Sequence, residues 1–525
     1  MPRSRLVTVL ARAVADARAA HAVDEPPKAG RRDFLRRAGA LGGAAAIAGT
    51  WQPAWAAAAG GSQARVAVVG GGLAGLCALD ALARAGVQAT LFEAAPRVGG
   101  RCLSERSAFG SQVAERGGEF IDTGHAQIRL LAADLGLALD DVLEAETPGT
   151  VPLWWLDGAA YTLDDATADL TPLLPALEAD VAVLTGTLPT YDQATAGQRA
   201  LDRLSAAAWI DTRVPGGARS RLGRLLANAY TEELGADPAR ISSISVIALL
   251  DGTPRDRLSP YEESDQRYHV RGGNDRIVTA LAERVQSHVE TGSRLVAITR
   301  DGRGRHRLHL ARDGAARTHT CERVILALPF SLLRDVDLAH AGFRTRKLAA
   351  IRHLGMGHNT KLQLQFASRH WRTHGGNGET RLEGPYVTSW EVTRAQEGDT
   401  GIVNFFSGGS VAQRAGEGTP EAQARAVLAA IEPLYPGIGA QWTGQVIRNA
   451  WDRYPWTRGS YSLLEPGHYT SFHGIEWAPE GHVHFAGEHT SAEASGYMEG
   501  AVETGQRAAR EVLESLGLRA AARAA

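Results

Sequence analysis

Four apolar residues in a row, Val66-Ala67-Val68-Val69, follow the charged Arg65, as in a strand buried on both faces. Gly70-Gly71-Gly72-Leu73-Ala74-Gly75 interrupts the run, and a helical pattern occupies Leu76 to Arg84. A second apolar run, Ala89 to Phe92, ends in Glu93. Strand, glycine turn, helix and strand in this order predict a parallel βαβ unit. From Ala126 to about Asp265 the chain reads as mostly helical, with leucine-rich stretches such as Leu222 to Leu226. Alternation returns between Thr360 and Phe366, where Lys361, Gln363 and Gln365 share one face opposite Leu362, Leu364 and Phe366. Gly401 to Ser407, Arg323 to Pro329 and His482 to Phe485 read as further strands. A last helix opens behind Ser495, which suits an N-cap.

The first unit carries chemistry. Gly70 permits the tight turn, Gly72 lets backbone approach a pyrophosphate beside Leu73 and Ala74, and Gly75 lets helix pack on strand. Glu93 lies where a carboxylate accepts hydrogen bonds from ribose hydroxyls. Together they predict a bound dinucleotide. The glycine pair and arginine of Arg97-Val98-Gly99-Gly100-Arg101 resemble flavoproteins rather than nicotinamide dehydrogenases. At the far end, the strand before Gly487 would deliver Glu488 to a ribityl hydroxyl. The helix after Ser495 would turn its positive end to a reduced flavin, although a plain packing helix has the same apolar spacing.

Composition narrows the class. In 525 residues, 44% hydrophobic and 22% charged, there is room for two to four folded domains. With 56 basic and 58 acidic residues, no global field favours nucleic acid. Cys77, Cys102 and Cys321 are too few and too scattered for a disulfide framework or a metal cluster. Lysine occurs only at Lys28, Lys347 and Lys361, so 56 less 3 leaves 53 arginines. A lysine kept in such a chain carries information.

Residues 1–58 read as an address. Arg31-Arg32-Asp33-Phe34-Leu35-Arg36-Arg37 precedes an uncharged stretch from Ala38 to Thr50, then Ala54-Trp55-Ala56. This is the pattern of a twin-arginine export signal, with the twin-arginine machinery as partner and a periplasmic or secreted destination. Its apolar core is too short for stable membrane insertion.

Gly70 to Gly75, Glu93 to Arg101, Gly117-Gly118-Glu119-Phe120-Ile121-Asp122, Arg271-Gly272-Gly273, Lys361, Gly459-Ser460-Tyr461 and Phe485 to Gly505 resemble, in order, the motifs of the flavin-containing amine oxidases. That family includes monoamine, polyamine and L-amino acid oxidases. The resemblance implies an α/β fold: a Rossmann-like FAD-binding domain assembled from distant segments, and an α+β substrate domain with a mixed sheet and a helical insert. The expected organisation is signal and linker 1–58, FAD domain 59–125, helical insert 126–264, FAD domain 265–340, substrate sheet 341–445, and FAD domain with the last helix 446–525. The resemblance further places Arg101, Gly118, Glu119, Gly487, Glu488 and Met498 against the cofactor. Leu295-Val296-Ala297-Ile298 looks like the adjacent strand that would face the adenosine part, with Val296 at the contact.

By the same resemblance Lys361 holds a water near flavin N5, and Tyr461 and Tyr497 flank the substrate nitrogen. A compact ammonium suits the first task better than a guanidinium, and electron-rich ring faces suit the second. Ser460 stands where covalent members carry the cysteine that attaches the flavin, so FAD is expected to be non-covalent. Asp122 is either an acid for a distal ammonium or a loop residue capping the turn near Thr123. Glu232 and Glu233 are further candidates for a cationic substrate. Glu119 and Phe120 fill the stretch where amino acid oxidases often carry an arginine, which counts against an amino acid substrate, although Arg129 or an arginine of the helical insert can serve. The expected activity is FAD-dependent oxidation of an amine to an imine and then an aldehyde, with dioxygen reduced to hydrogen peroxide. The alternatives are an L-amino acid oxidase or monooxygenase, and a flavin amine dehydrogenase feeding a carrier protein.

Overall fold

The computed structural model describes residues 65–184, 188–251 and 264–518. The twin-arginine segment, with Arg31 and Arg32, lies outside the described residues.

Five short strands form a parallel sheet in the order Val483–Phe485, Arg323–Leu326, Val66–Val69, Ala89–Phe92, Val289–Glu290. The period of two in Val66–Val69 divides its side chains between two cores. Val66 and Val68 pack with the helices Leu73–Arg84, Asp275–Val285 and Met498–Ser515. Ala67 and Val69 pack with Leu295, Ile298, Leu308 and Leu310, from an adjoining four-stranded sheet. Both faces are covered, which is why this strand contains no polar residue.

The strand outside Ala89–Phe92 is Val289–Glu290, paired through Leu91 and Phe92. Leu295–Ile298 is therefore not the adjacent strand of this sheet, which corrects that part of the expectation. Those residues belong to Arg294–Arg300 in the four-stranded sheet, and the register slips between Leu295 and Ala297, at Val296.

A seven-stranded sheet builds the second half, in the order Trp442–Ala450, Asn359–Phe366, Gly401–Gly408, Thr388–Glu391, Gly376–Leu382, Val151–Leu156, Ala159–Ala160. Leu362, Leu364 and Phe366 pack with Val427, Leu428 and Ile431 of the helix Pro420–Ile431. The opposite face of Asn359–Phe366 is buried too: the Lys361 and Gln363 side chains both donate to the Glu115 carbonyl oxygen. The described residues between Ala126 and Asp265 are mostly helical and centre on Trp209, Leu222, Leu225 and Leu226, but Val151–Leu156 leaves them to join the sheet. Their first helix, Ala126–Asp134, packs Ile128, Leu131 and Ala132 into the core of the parallel-sheet half. Among the described residues no helix is long and apolar enough to cross a membrane.

Candidate active site

A cavity of about 300 Å3 is lined from both halves of the molecule. At one end it follows the glycine turn. The helix Leu73–Arg84 starts behind Gly72 with no side-chain cap, and a Cβ on Gly72 would meet no atom within 4 Å. The first amides of the helix therefore open onto space, the arrangement that receives a phosphate. Gly75 has the other role in the fingerprint, since a Cβ there would lie 1.9 Å from the Gly70 carbonyl oxygen. Glu93 accepts hydrogen bonds from Gly71 N (2.6 Å) and Ala95 N (2.7 Å) at the cavity wall. Burial pushes its pKa up, against the pull of those amides.

The middle of the cavity is closed by residues distant in sequence. Arg101 Nη1 donates to the Ser460 carbonyl (2.6 Å) and to Glu488 Oε1 (2.8 Å). Glu488 Oε2 accepts from Ser462 Oγ (2.9 Å) and Gly496 N (2.9 Å). Burial opposes the charge on Glu488, but Arg101 beside it and these donors outweigh burial and hold the carboxyl below its usual range. Gly118 has no room for a side chain, because a Cβ would stand 2.8 Å from Met498 Cγ. The helix behind Gly496 begins at Met498 with Tyr497 as its N-cap residue and no side-chain cap, so Ser495 is not the cap expected. Ser495 Oγ lies 3.1 Å from Ser462 Oγ instead. Gly70, Gly72, Leu73, Ala74, Glu93, Arg101, Gly118, Gly487, Glu488 and Met498 all line this space, and Val296 does not. An elongated cradle with uncapped amides at one end and an ion-paired carboxylate in the middle fits a flavin dinucleotide.

The far end is charged and aromatic. Lys361 is 6% exposed, with its Nζ 2.5 Å from Glu119 Oε2 and 3.1 Å from the Glu115 carbonyl oxygen. Glu119, expected against the cofactor, lines the same cavity, and its other oxygen accepts from Trp390 Nε1 (2.9 Å). The Tyr461 hydroxyl donates to the Glu232 carbonyl oxygen (2.8 Å), and burial pushes its pKa well up. The Tyr497 ring meets His125 edge-on at 4.6 Å. Glu232 is ion-paired with Arg381. Burial raises the Glu232 pKa, with Arg381 pulling the other way. Glu233, Glu379 and Arg394 line the same space.

Thus Lys361, Tyr461, Tyr497, Glu232 and Glu233 are brought together, but Asp122 is not among the lining residues. Asp122 Oδ1 accepts from Gln266 N (2.8 Å), and its own N–H donates to His125 Nδ1 (3.0 Å). It is a loop residue, although the turn at Thr123 is held by Asp265 rather than by Asp122. Trp390, Arg381 and Arg394 belong to no motif. For Arg381 a signal existed: Asn377, Glu379 and Arg381 place polar groups at every second residue of one buried strand.

Comparison with known proteins agrees with this geometry. The family model for flavin-containing amine oxidoreductases matches residues 73–513. The L-amino-acid oxidase of Mus musculus is 25% identical over 465 residues, covering 86% of this chain and 71% of the relative. The flavin-containing amine oxidase A of Sus scrofa is 24% identical over 482 residues, covering 87% and 86%. Cyclohexylamine oxidase from Brevibacterium oxydans IH-35A has the same architecture, with a TM-score of 0.75 at 23% identity over 87% of this chain and all of the other (100%). Wild-type putrescine oxidase bound to putrescine superposes with a TM-score of 0.71 at 21% identity, over 86% and 99%. The chain belongs to the flavin-containing amine oxidoreductases, enzymes that act on amines with a flavin cofactor.

Proposed function

We propose that this chain oxidises a monoamine, diamine or polyamine with non-covalent FAD, and that dioxygen is the electron acceptor. In the balanced reaction, amine, dioxygen and water become aldehyde, ammonia or a smaller amine, and hydrogen peroxide. The observation that carries the reading is that Lys361, Tyr461 and Tyr497 line the cavity that also contains the glycine turn and Glu93. A flavin bound there accepts two electrons with hydrogen from the carbon next to nitrogen and returns the electrons to dioxygen. The chain supplies the rest. The two tyrosines exclude water and favour a neutral amine at their faces. Lys361 sets a cation at the wall, and Arg101 with Glu488 orders the polar middle of the cradle. Ser460 cannot form the thioether that would tether the flavin. The N-terminal signal adds a periplasmic or secreted site of action.

A second reading, oxidation of an amino acid, draws support from Arg381 and Arg394 on the cavity wall, where a substrate carboxylate would compete with their partners Glu232 and Glu146. One experiment separates the two. Monoamines, diamines, polyamines and amino acids are mixed anaerobically with the holoenzyme, and bleaching of the flavin is followed. Fast bleaching by amines alone upholds the first reading; fast bleaching by amino acids alone replaces it. Admitting air then tests the acceptor: bleached flavin that stays bleached, without peroxide, points to a carrier protein.

A further inference from the structure

The Lys361–Glu119 contact joins two parts of the molecule that the sequence keeps far apart. Glu119 stands on the loop behind Gly118, which packs against Met498, and Lys361 stands on the strand Asn359–Phe366. The Glu119 carboxylate is fixed at both oxygens, by Lys361 Nζ at 2.5 Å and by Trp390 Nε1 at 2.9 Å. The Trp390 ring also covers the ammonium, 5.5 Å from its centroid. Both charged side chains are buried, at 7% and 6% residual exposure, and all three residues line the cavity.

The surroundings leave the neutralising role to Glu119. Glu115 offers Lys361 only its carbonyl oxygen, because its carboxylate is taken by His269 Nε2 (2.9 Å), Ser104 Oγ and Asn274 N. On the sheet, the register neighbours of Lys361 are Phe406 and Asn449, neither of them charged. The second buried lysine shows what happens without a carboxylate in contact. Lys347 Nζ donates to the Glu476 carbonyl (2.9 Å) and lies 3.7 Å over the Phe485 ring, and burial pushes its pKa down to about 7.

We propose that Glu119 is a positioning residue that, as counter-ion, holds the Lys361 ammonium in place at the cavity wall. Only the use made of that charge rests on the amine-oxidase reading; the pairing itself does not. Lys361 thus meets its counter-ion inside the protein rather than in solvent. Its orientation is set jointly by the cofactor-side loop and by Trp390 on the sheet.

The small number of lysines makes the test direct. Lysine labelled with 15N at Nζ gives at most three side-chain signals in the FAD-loaded protein, from Lys28, Lys347 and Lys361. Lys347→Met and Lys361→Met assign them. The Lys361 ammonium signal should persist in the parent and vanish in Glu119→Gln at a pH lower by about one unit or more, because burial then acts on an unpaired cation. Glu119→Asp, which keeps the charge but withdraws it by one methylene, should lie between. A Lys361 signal that titrates identically in all three proteins overturns the proposal. Where Glu119→Gln does not fold, Glu119→Asp decides by the same criterion: a lower pH of loss upholds it, an unchanged one overturns it.

A second measurement separates this proposal from the function it serves. Reoxidation of the reduced holoenzyme by air should fall off at a lower pH in Glu119→Gln than in the parent, with Glu119→Asp between the two. If the Lys361 signal is lost early but reoxidation keeps the parent profile, the pairing stands and Lys361 is removed from the oxygen reaction.

Discussion

Lys361 and Arg381 stand in one row of the seven-stranded sheet, linked by the register pairs Lys361–Phe406, Phe406–Thr388 and Thr388–Arg381. Three inter-strand steps set their backbones about 14 Å apart. All four residues line the cavity, so the sheet presents two charged poles on one wall. Each pole is an ion pair made with another part of the chain: Lys361 with Glu119, and Arg381 with Glu232. The second pole reaches back toward the aromatic residues, because the Tyr461 hydroxyl rests on the Glu232 carbonyl oxygen.

That arrangement makes the Arg381–Glu232 pair costly to break. Arg381 is 2% exposed, so Arg381→Met would leave the Glu232 carboxylate buried with its ion-pair partner gone. The expected loss is about 3–5 kcal/mol in denaturant unfolding. Replacing both residues with methionine should recover most of it, since an apolar pair of similar volume needs no compensation. A single variant as stable as the parent would show that the pair contributes nothing to folding.

Asp122 and His125 make opposite contributions to the pH dependence of stability. Burial raises the Asp122 pKa to about 7, so the unfolded chain releases this proton first and Asp122 destabilises the fold progressively from about pH 4 to 7. Burial lowers the His125 pKa to about 4, so the unfolded chain binds this proton first and stability is lost as pH falls from about 6.5 to 4. The two slopes cancel between about pH 4 and 6.5. Asp122→Asn removes one of them. Urea unfolding should then show the variant losing stability relative to the parent as pH falls from about 6.5 to 4, by on the order of 2–3 kcal/mol. A variant that tracks the parent curve would mean that the Asp122 carboxyl is not as dry as its burial implies.

Local signals reported local structure well. The glycine turn, the strand Val66–Val69 and the alternation around Lys361 depend on neighbours in sequence, and the fold has them as expected. Contacts made at long range were less legible. The position of Val296 depends on which strand pairs with Ala89–Phe92, and a two-residue strand, Val289–Glu290, won that edge. The start of the last helix depends on Gly496 being held by Glu488, which carries the chain past Ser495 before the helix begins. The resemblance placed Glu119 against the cofactor, and it does line the cavity, but its contacts there were not legible. Its partner, Trp390, is 271 residues away, and no spacing rule connects the two.

Ser460 bears on how the flavin is held. Its hydroxyl donates to Asn359 Oδ1 (2.5 Å) at the cavity wall, and serine has no sulfur with which to form a thioether. Acid precipitation should therefore give a colourless pellet and a yellow supernatant carrying intact FAD. A yellow pellet would mean a covalent link at another residue.

The export reading rests on Arg31 and Arg32, and it is tested in cells. Changing both to lysine should trap folded, yellow protein in the cytoplasm, because the twin-arginine route distinguishes arginine from lysine while the charge is unchanged. Periplasmic activity equal to the parent's would remove the twin-arginine assignment.

Lys361→Met separates the two halves of the catalytic cycle. Methionine keeps most of the stem's volume but removes the charge and its three donors. Glu119 is then a buried carboxylate without its cation, so the variant should be less stable by about 3–5 kcal/mol, and pairing it with Glu119→Gln should return part of that loss. FAD should remain bound, since the glycine turn, Glu93 and the Arg101–Glu488 pair are untouched. Reaction with dioxygen places negative charge beside the flavin, and a fixed cation in the wall favours it. Removing one such electrostatic donor costs on the order of a hundredfold or more in rate, about 3 kcal/mol. Reduction by amine under anaerobic conditions creates no anion at that position and should change much less. Stopped-flow measurement of both half-reactions in parent and variant decides the matter. If reoxidation is unchanged while FAD stays bound, Lys361 is a strand residue that serves only to pair with Glu119.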